Sequence, residues 1–494
     1  MANENGWGDG SSNNAIGWGQ GANNATGWGS SQATSWSGLT NIVGTSIDTD
    51  AQAFLTASAI TGTTQLSAIN TLVTGLKTDG LWTKMKAIYP FVTDNRNLLS
   101  YTEVFSGAYW DKGLSTVIDN NTTAPNGAST ACKLTEAAGT GSHHIHELVG
   151  PITAVVGQAY TMSVYVKQIN SDSQRYVQLP FFLAGFGANA YVNFDILNGV
   201  VGTIGSSITS SSITSVGSGW YRLTATATAT AAGSSGSQLS FIPASTSTRT
   251  ESYTVTAGSE KSAYIWGFQL ENSATVTDYQ SIATTQQAFI SSQHKFNLKD
   301  PRDLNAAYRL TFGGGLTHDS NGVLGNGVNG YAVTYFNCVT GLPSTNIHTS
   351  WYQRTASTLG AFSTEIAPDK AYTGSWLTFR TNNKVSGNAY FSAGNDAIGA
   401  SVSNTLSGFL LGSKSASNSR KLYRNGSVLA TTTTSDTTAL PTENLRLWGN
   451  SFPSGAFSGN NCAFSSIGDG LTDTDAINLY NRVQAFQTTL NRAV

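Results

Sequence analysis

Short runs of alternating apolar and polar residues, separated by Gly, Ser and Asn, fill most of this 494-residue chain. Runs such as YTMSVYVKQ (160–168), AYVNFDI (190–196) and GWYRLTATATAT (219–230) place every second side chain on one face. A β-strand with one buried face produces this alternation, because its side chains repeat every two residues. The segments KLYR and SVLA flank Asn425-Gly426, which is typical of a two-residue hairpin turn. Many such strands predict a mainly β chain built from sandwiches or jelly rolls.

Two segments repeat their apolar residues every three or four positions, which is the spacing of an amphipathic α-helix. The first lies within 48–92, and the second follows Gly468 and is predicted to begin at Thr472 or Asp473. The apolar face of the second would comprise Ile477, Tyr480, Val483, Phe486 and Leu490. Such helices need a partner surface, so we expect them to pack against the β structure.

Charge and hydropathy argue against two classes of partner. Charged residues make up 11% of the chain and the net charge is −2, so a basic nucleic-acid-binding surface is not expected. No apolar run approaches the ~18 residues of a membrane span. The first residues also lack the basic and apolar regions of a signal peptide. We therefore expect no nucleic-acid binding, no membrane insertion and no export signal.

The first β region contains three signature segments in a fixed order: NLLSYTEVFSGAYW (97–110), VGSGWYRLTATA (216–227) and YIWGFQLENSATVTDYQ (264–280). They resemble a module that is common in bacteriophage virion proteins and is similar to carbohydrate-binding jelly rolls. The resemblance covers most of 97–283 and implies a jelly-roll fold. The segment TDYQSIAT departs slightly from the usual ending of the module.

A second resemblance is to phage proteins with a concanavalin A-like or LamG-like β-sandwich. It is carried by AINTLVTGLKTDGLWTKMKAIYPFV (68–92), HKFNLKDPRDLNAAYRLTFGGGLTHDSNGV (294–323) and SSIGDGLTDTDAINLYNRVQAFQTTLNR (465–492). In that family the first segment leads almost directly into the second, whereas here 93–293 lies between them. The resemblance therefore implies that the jelly roll is inserted into a sandwich domain that carries flanking helices.

Four segments follow from these resemblances. They are a Gly/Trp-rich repeat (1–45), a helical part of the sandwich domain (46–95), the inserted jelly roll (97–283) and a β-sandwich with a C-terminal helix (286–494). In the repeat, a tryptophan recurs between small residues at Trp7, Trp18, Trp28 and Trp36. These rings cannot form a core within one chain, but each could bury ~150–250 Å² against other copies or a particle. We predict an attachment and oligomerisation segment; the alternative is a flexible linker.

Catalytic signals are weak, and we predict that the protein is not an enzyme. His144 and His146 alternate with Ile145 and so share one strand face, where a polar strand surface is favoured over a metal site. Glycoside hydrolysis needs a pair of carboxylates in one cleft. The glutamates stand alone in sequence, and Glu271 is expected to have a structural hydrogen-bonding role.

No cofactor is predicted, although one loop contains residues that could bind calcium. Asp319 and Asn321 in DSNG resemble the first half of a calcium loop, but the bidentate glutamate that ends such a loop is missing. An Asx turn is the favoured explanation, and these two residues remain weak metal candidates.

Glycan binding is better supported by residue types, because aromatic rings stack on sugar faces while amides and carboxylates satisfy hydroxyls. Trp220, Trp266, Trp351, Trp376 and Trp448 lie within strand signatures and are expected in cores. The predicted glycan-binding residues lie in or beside Gly- and Asn-containing loops: Tyr109, Trp110, Phe182, Phe186 and Tyr191.

These expectations combine into one functional prediction: a structural protein of the phage virion, a fibre or appendage subunit. It would be a homo-oligomer, with a trimer as the expected stoichiometry, and its N-terminus would anchor it to other virion proteins. Its β domains would bind host-surface or environmental glycans, with avidity supplied by multivalency. It would be assembled in the bacterial cytoplasm and released by lysis. The alternatives are a purely structural head or collar decoration protein and a glycan-degrading tail enzyme.

Overall fold

The described chain forms two compact units in the computed structural model. One unit comprises the described residues up to Asp94 together with Ser291–Val494, and the other is Asn95–Ile290. We call them the sandwich unit and the inserted unit; the predicted insertion, 97–283, lies within the latter. The described residues are 46–148, 152–170, 173–235, 237–355, 364–369, 376–383, 388–401, 407–449 and 457–494. The predicted attachment segment 1–45, with Trp7, Trp18, Trp28 and Trp36, lies outside them.

The sandwich unit begins with helices α1 (Thr49–Ser58) and α2 (Thr63–Thr78), followed by strand β1 (Met85–Tyr89). Asp48 caps α1, since its Oδ1 atom accepts the backbone N–H of Asp50 at 2.9 Å. Both helices turn an apolar stripe inward, as their spacing predicts. The buried side chains of α2 include Leu66, Ile69, Leu72, Val73 and Leu76.

The inserted unit is almost entirely β structure. A short helix, α3 (Leu183–Phe186), lies between two of its strands. Its strands are β2 (Trp110–Gly113), β3 (Ser115–Thr122), β4 (Ala131–Glu136), β5 (Gly139–Gly141), β6 (His143–Glu147), β7 (Ile152–Thr153), β8 (Ala159–Gln168), β9 (Tyr176–Pro180), β10 (Tyr191–Asp195), β11 (Val200–Ile204), β12 (Ile208–Gly217), β13 (Trp220–Thr228), β14 (Ser234–Ser235), β15 (Gln238–Phe241), β16 (Tyr253–Val255) and β17 (Ser262–Glu271).

Two six-stranded antiparallel sheets form the body of the inserted unit. Their strand orders are β11-β10-β9-β15-β6-β2 and β12-β13-β8-β17-β4-β3, so the chain passes between sheets as in a jelly roll. Strand β8 shows how the alternation works. Its core-facing residues are Tyr160, Met162, Val164 and Val166, whereas Tyr165 packs against a separate small cluster with Trp220 and Trp266.

The chain then returns to the sandwich unit through helix α4 (Gln286–His294). Two further helices follow, α5 (Cys338–Gly341) and α6 (Asp473–Thr489). The strands are β18 (Thr311–Gly313), β19 (Thr317–Asp319), β20 (Gly322–Leu324), β21 (Tyr331–Asn337), β22 (Ile347–Gln353), β23 (Ile366–Pro368), β24 (Trp376–Asn383), β25 (Asn388–Gly394), β26 (Ala397–Ser401), β27 (Gly408–Ala416), β28 (Ser419–Arg424), β29 (Ser427–Thr432), β30 (Asn444–Leu447) and β31 (Asn461–Gly468).

Two antiparallel sheets enclose the main core of the sandwich unit. One runs β19-β20-β31-β22-β27-β28-β29, with β1 also paired to β31, and the other runs β18-β21-β30-β23-β24-β25-β26. Trp351 and Trp448 lie fully buried in this core with ring centroids 5.1 Å apart, as predicted. Together with the inserted unit, these sheets confirm the mainly β fold class.

The helices cover the other face of the first sheet. Tyr352, Phe409 and Phe464 from that sheet pack in one cluster with apolar residues of α1, α2 and α6. Thr472 caps α6 in a capping box with Asp475, as predicted for this position. The prediction that Ile477 belongs to the buried face of this helix is wrong, because its side chain is 47% exposed. No helix in the described part of the chain is long and apolar enough to cross a bilayer.

The chain segments before and after the insertion contact each other within the sandwich unit. Gln293 Nε2 donates to Asp94 Oδ1 at 2.8 Å, so the two chain segments that flank the insertion are neighbours. Asp94 Oδ2 also accepts the backbone N–H groups of Thr61 and Gly62, at 2.7 and 3.0 Å. Closing a short loop between neighbouring ends costs little entropy.

We therefore expect a chain in which a short Gly/Ser linker replaces 97–283 to fold. Circular dichroism and amide dispersion in NMR spectra should report a cooperative β protein with the helical signal of α1, α2 and α6. The matched control is the same deletion carrying Gln293→Ala, which should be less stable because the Asp94 contact is lost. A product without cooperative unfolding would contradict the insertion.

Candidate functional site

The inserted unit carries a cavity of about 430 Å³ walled by aromatic rings. We call it the aromatic pocket. Its lining residues are Glu103, Pro125, Asn126, Tyr165, Val216, Trp266, Asp278, Tyr279 and Ser281.

Strand pairing brings two of the three rings together, and the segment after β17 adds the third. Trp266 on β17 lies directly opposite Tyr165 on β8, and their ring centroids are 5.2 Å apart. Tyr279 follows β17 and packs edge-on against Trp266 at 4.6 Å. The indole N–H of Trp266 donates to Thr130 Oγ1 at 2.9 Å, which fixes the ring. The pocket wall is therefore held in place before any ligand arrives, which lowers the entropic cost of binding.

Gly267 makes this ring arrangement possible. Its φ of +64° lies in the left-handed region, at a β-bulge between Trp266 and Gln269. A Cβ atom there would lie 3.1 Å from Tyr165 and 3.3 Å from Tyr279. Glycine therefore allows both the bulge and the close ring contacts.

Carboxylates and an amide supply the polar side of the aromatic pocket. Glu103 Oε1 accepts the Tyr279 hydroxyl at 3.2 Å. Burial, and then the charge of Glu103, raise the pKa of Tyr279 well above its usual value, so this phenol stays protonated. Asp278 and Asn126 are exposed at the same cavity. The described lining residues include no Lys or Arg, and the Arg222 guanidinium lies 5.3 Å from the centroid of the Tyr165 ring. The lining carboxylates can accept hydrogen bonds from hydroxyl groups.

A second cavity of about 440 Å³ lies elsewhere on the inserted unit and has a different character. It is lined by charged and amide side chains that include Arg175, Lys261, Glu136 and Gln174, together with Tyr176. Arg175 is already paired with Asp195 at 2.6 Å. The aromatic pocket is therefore the better match to a ligand with flat apolar faces and many hydroxyls.

Two of the predicted glycan-binding residues are core residues. Trp110 and Phe186 are each 1% exposed and belong to the main cluster of the inserted unit. Their ring faces are covered, so neither can stack on a sugar, and the expectation for these two is wrong. Tyr109 is partly buried against the same core, its hydroxyl accepts the backbone N–H of Ser100, and burial raises its pKa to about 12.

The other two predicted residues are more accessible but lie outside the aromatic pocket. Phe182 is half-buried and packs edge-on against His146, with ring centroids 5.6 Å apart. Tyr191 is half-buried on β10 opposite Pro180. A glycan-binding role for these two stays a prediction.

Sequence reasoning missed Tyr165 and Tyr279 and assigned Trp266 to the core. Trp266 is indeed only 4% exposed, but it forms part of the pocket wall. A signal for Tyr165 exists in the sequence, because it stands in the polar phase of the β8 alternation. An aromatic residue in the phase opposite the core is a candidate for an exposed platform.

The predicted calcium candidates form a tight hairpin between β19 and β20. Asp319 Oδ1 accepts the backbone N–H of Asn321 at 2.7 Å, which is the favoured Asx turn. Calcium at this loop stays a prediction. Glu271 has the structural role expected of it, since Oε2 accepts the backbone N–H of Thr277 at 3.1 Å.

Comparisons with protein families and with curated proteins give no match. Among solved structures, the C-terminal family 22 carbohydrate-binding module of Clostridium thermocellum Xyn10B is similar at 16% identity and a TM-score of 0.24, covering 37% of this chain and 99% of that one. Domain 4 of AbnA, an arabinanase from Geobacillus stearothermophilus, is similar at 14% identity and a TM-score of 0.23, covering 35% and 87%. The binding domain of botulinum neurotoxin DC is similar at 16% identity and a TM-score of 0.26, covering 36% and 48%.

Several other similar structures belong to longer proteins. The chain covers 26% of a GH51 arabinofuranosidase and 30% of a xylanase module pair. All of these identities and TM-scores are low, so we draw no ligand or activity from them. The argument for function depends on the aromatic pocket itself.

Proposed function

We propose that this protein binds neutral glycans through the aromatic pocket of its inserted unit. The observation that carries the proposal is the joining of three packed rings, Tyr165, Trp266 and Tyr279, with the carboxylates of Glu103 and Asp278 in one cavity. The half-buried rings of Tyr165 and Tyr279 can stack on the CH faces of sugars, whereas Trp266 is 4% exposed and packs against both of them. Carboxylates accept hydrogen bonds from sugar hydroxyls. Two carboxylates line the described cavity, against one guanidinium, Arg222, that lies 5.3 Å from the Tyr165 ring centroid, so polymers of uronic acids are disfavoured.

The wider proposal is that the chain is a non-enzymatic fibre or appendage subunit of a phage virion. It is supported by the resemblances in 97–283 and in 294–323. Residues 1–45 would anchor it to other virion proteins, and oligomerisation, expected as a trimer, would multiply a weak affinity at each site. Immunolabelled electron micrographs of particles test this part, since the label would lie on an appendage rather than on the head shell.

The glycan proposal predicts that Tyr165→Leu and Asp278→Ala each weaken binding about tenfold, since each removes roughly 1.4 kcal/mol of contact. The measurement is calorimetric titration of the full chain with neutral oligosaccharides selected from a glycan array. Polygalacturonate should not compete. Asp278 is exposed, so its replacement should leave the unfolding midpoint unchanged.

The matched control is Tyr176→Leu, a half-buried tyrosine of the second cavity. It should leave the affinity unchanged. If Tyr176→Leu weakens binding and Tyr165→Leu does not, the aromatic pocket is not the site. Absence of binding to every neutral glycan on the array would reject the proposed function.

A further inference from the structure

Strand β6 carries two histidines that face away from the core of the inserted unit. His144 and His146 are half-buried, whereas His143, Ile145 and Glu147 on the opposite face are buried. The two imidazole ring centroids are 5.1 Å apart and nearly stacked, at 30°. This is the shared strand face that the sequence predicts.

The neighbouring edge strand β2 adds a carboxylate to this face, which no local pattern reveals. In the antiparallel register, Asp111 lies directly opposite His146. Asp111 Oδ2 is 3.7 Å from Nε2 of His144 and 3.6 Å from Nδ1 of His146. All three candidate ligand atoms lie within 4.8 Å of one another. Zinc bonds of about 2.0–2.1 Å place tetrahedral ligands about 3.3 Å apart, so small side-chain rotations would complete a site.

The imidazole nitrogens near Asp111 are not used by hydrogen bonds to other described residues. His144 Nδ1–H donates to the carbonyl oxygen of Ser142 at 3.2 Å, which leaves Nε2 unprotonated in the neutral ring. Nδ1 of His146 is buried and has no hydrogen-bond partner among the residues that the structure describes. A buried nitrogen without a partner is costly unless something binds it.

The residue types of the cluster suit a metal ion. Neutral imidazole nitrogens and an ionised carboxylate are the states required of such ligands. The backbone carbonyl of Ser142 also orients the His144 ring, as outer hydrogen-bond partners do in zinc sites.

Two neighbours shape the space around the cluster. Gly113 lies opposite His144, and a Cβ atom there would come within 2.2 Å of Cε1 of that ring. Glycine at this position therefore lets the imidazole lie flat across β2, toward Asp111. On the other side, the ring of Phe182 meets His146 at 72° and gives the cluster an apolar wall.

We propose that Asp111, His144 and His146 bind one divalent transition-metal ion, with zinc preferred. Two nitrogen ligands and one oxygen ligand suit zinc, whereas magnesium and calcium need sites built from oxygen. Three protein ligands leave a position for water. The metal would also tie the edge strand β2 to β6. This inference is independent of glycan binding, because none of the three ligands lines the aromatic pocket.

The test is calorimetric titration of tag-free, chelator-treated full-length protein with zinc chloride, and with magnesium chloride in parallel. We expect one zinc per chain, no response to magnesium and a raised unfolding midpoint with zinc. His144→Gln and His146→Gln should each weaken zinc binding at least about 100-fold. Gly113→Ala should weaken it about 10- to 100-fold without removing a ligand, because it displaces the His144 ring.

The visible absorption spectrum of bound cobalt reports directly on metal coordination. It would not change if Asp111, His144 and His146 only stabilised the fold. Wild-type protein with cobalt chloride should show the strong visible bands of a four-coordinate ion, and Asp111→Asn should lose them. The matched control is Glu260→Gln, an exposed carboxylate of the same unit, which should leave zinc and cobalt binding unchanged. The proposal is overturned if wild-type protein binds no zinc, or if His144→Gln and His146→Gln together leave the affinity unaltered.

Discussion

The Asp436→Asn substitution is expected to destabilise the sandwich unit by about 3 kcal/mol, because it leaves the buried Lys414 without its paired carboxylate and leaves Arg420 with only Asp396, whose Oδ2 lies 3.7 Å from Arg420 Nη1. Lys414 and Arg420 are 0% and 1% exposed. Arg420 Nη2 lies 3.1 Å and Lys414 Nζ 3.7 Å from Asp436 Oδ2. Lys414 also donates to the carbonyl oxygen of Ala393 at 2.8 Å. The ammonium group would keep that one bond but lose the charge that makes its burial tolerable.

The lowered pKa of Asp436 also indicates that its ionised form stabilises the folded sandwich unit. Burial alone would raise this pKa, but hydrogen bonds from Thr438 and Asp396 and the charge of Lys414 hold it at about 2, below the usual 3.8. A lowered carboxyl pKa contributes stability that is present above pH 3.8 and is lost as the pH falls toward 2. The loss over that range should therefore be smaller in Asp436→Asn than in the wild type.

Urea denaturation of the full chain, with hydrogen exchange of the β27 and β28 amides assigning the unit, measures the effect. The matched control is Asp303→Asn, which breaks pairs with Lys295 and Arg309 at an exposed carboxylate. That change should cost less than about 1 kcal/mol. Replacing Lys414, Arg420 and Asp436 together by apolar residues should recover most of the lost stability. Equal effects of Asp436→Asn and Asp303→Asn would show that the buried cluster does not depend on its charge balance.

Local pattern predicted the strands of this protein well because one residue in two faces a core. The Asn425-Gly426 turn illustrates this, since φ values of 48° and 78° join β28 to β29 as the NG signal predicts. The same alternation placed His144 and His146 on one face of β6. It failed for Trp110, which stands beside a glycine-containing loop but begins a strand with its side chain in the core.

The candidate sites depend on pairing between distant segments, which alternation does not encode. Tyr165 and Trp266 meet because β8 pairs with β17 at one register. A shift of one residue would turn Tyr165 into the core and Val166 out of it. Asp111 joins His146 through the register of β2 with β6 in the same way. The sequence alone supplied the residue types for a glycan site and a metal site, but not the partners that complete them.

Arg492→Met is expected to destabilise the sandwich unit by at least about 3 kcal/mol, because several buried carbonyl groups would lose their donor. Arg492 is 1% exposed. Its guanidinium donates to the carbonyl oxygens of Phe91 at 2.8 Å, Pro90 at 2.7 Å and Ala463 at 3.0 Å, and to Gln487 Oε1 at 2.6 Å. These acceptors belong to the segment after β1, to β31 and to α6, so one side chain joins three parts of the unit.

Methionine has a similar length and can fill the space, but it has no donor, so the test isolates the hydrogen bonds from packing. Calorimetry of the full chain should show a lower midpoint for the sandwich unit and an unchanged transition for the inserted unit. Arg302→Met is the matched control, since Arg302 is 65% exposed and pairs only with Asp300 in the described structure; it should change stability by less than about 0.5 kcal/mol. Arg492→Lys separates charge from geometry, because a lysine keeps the cation but cannot reach acceptors in three directions. If Arg492→Lys is as stable as the wild type, the buried charge rather than the branched hydrogen bonding holds the C-terminus against β31.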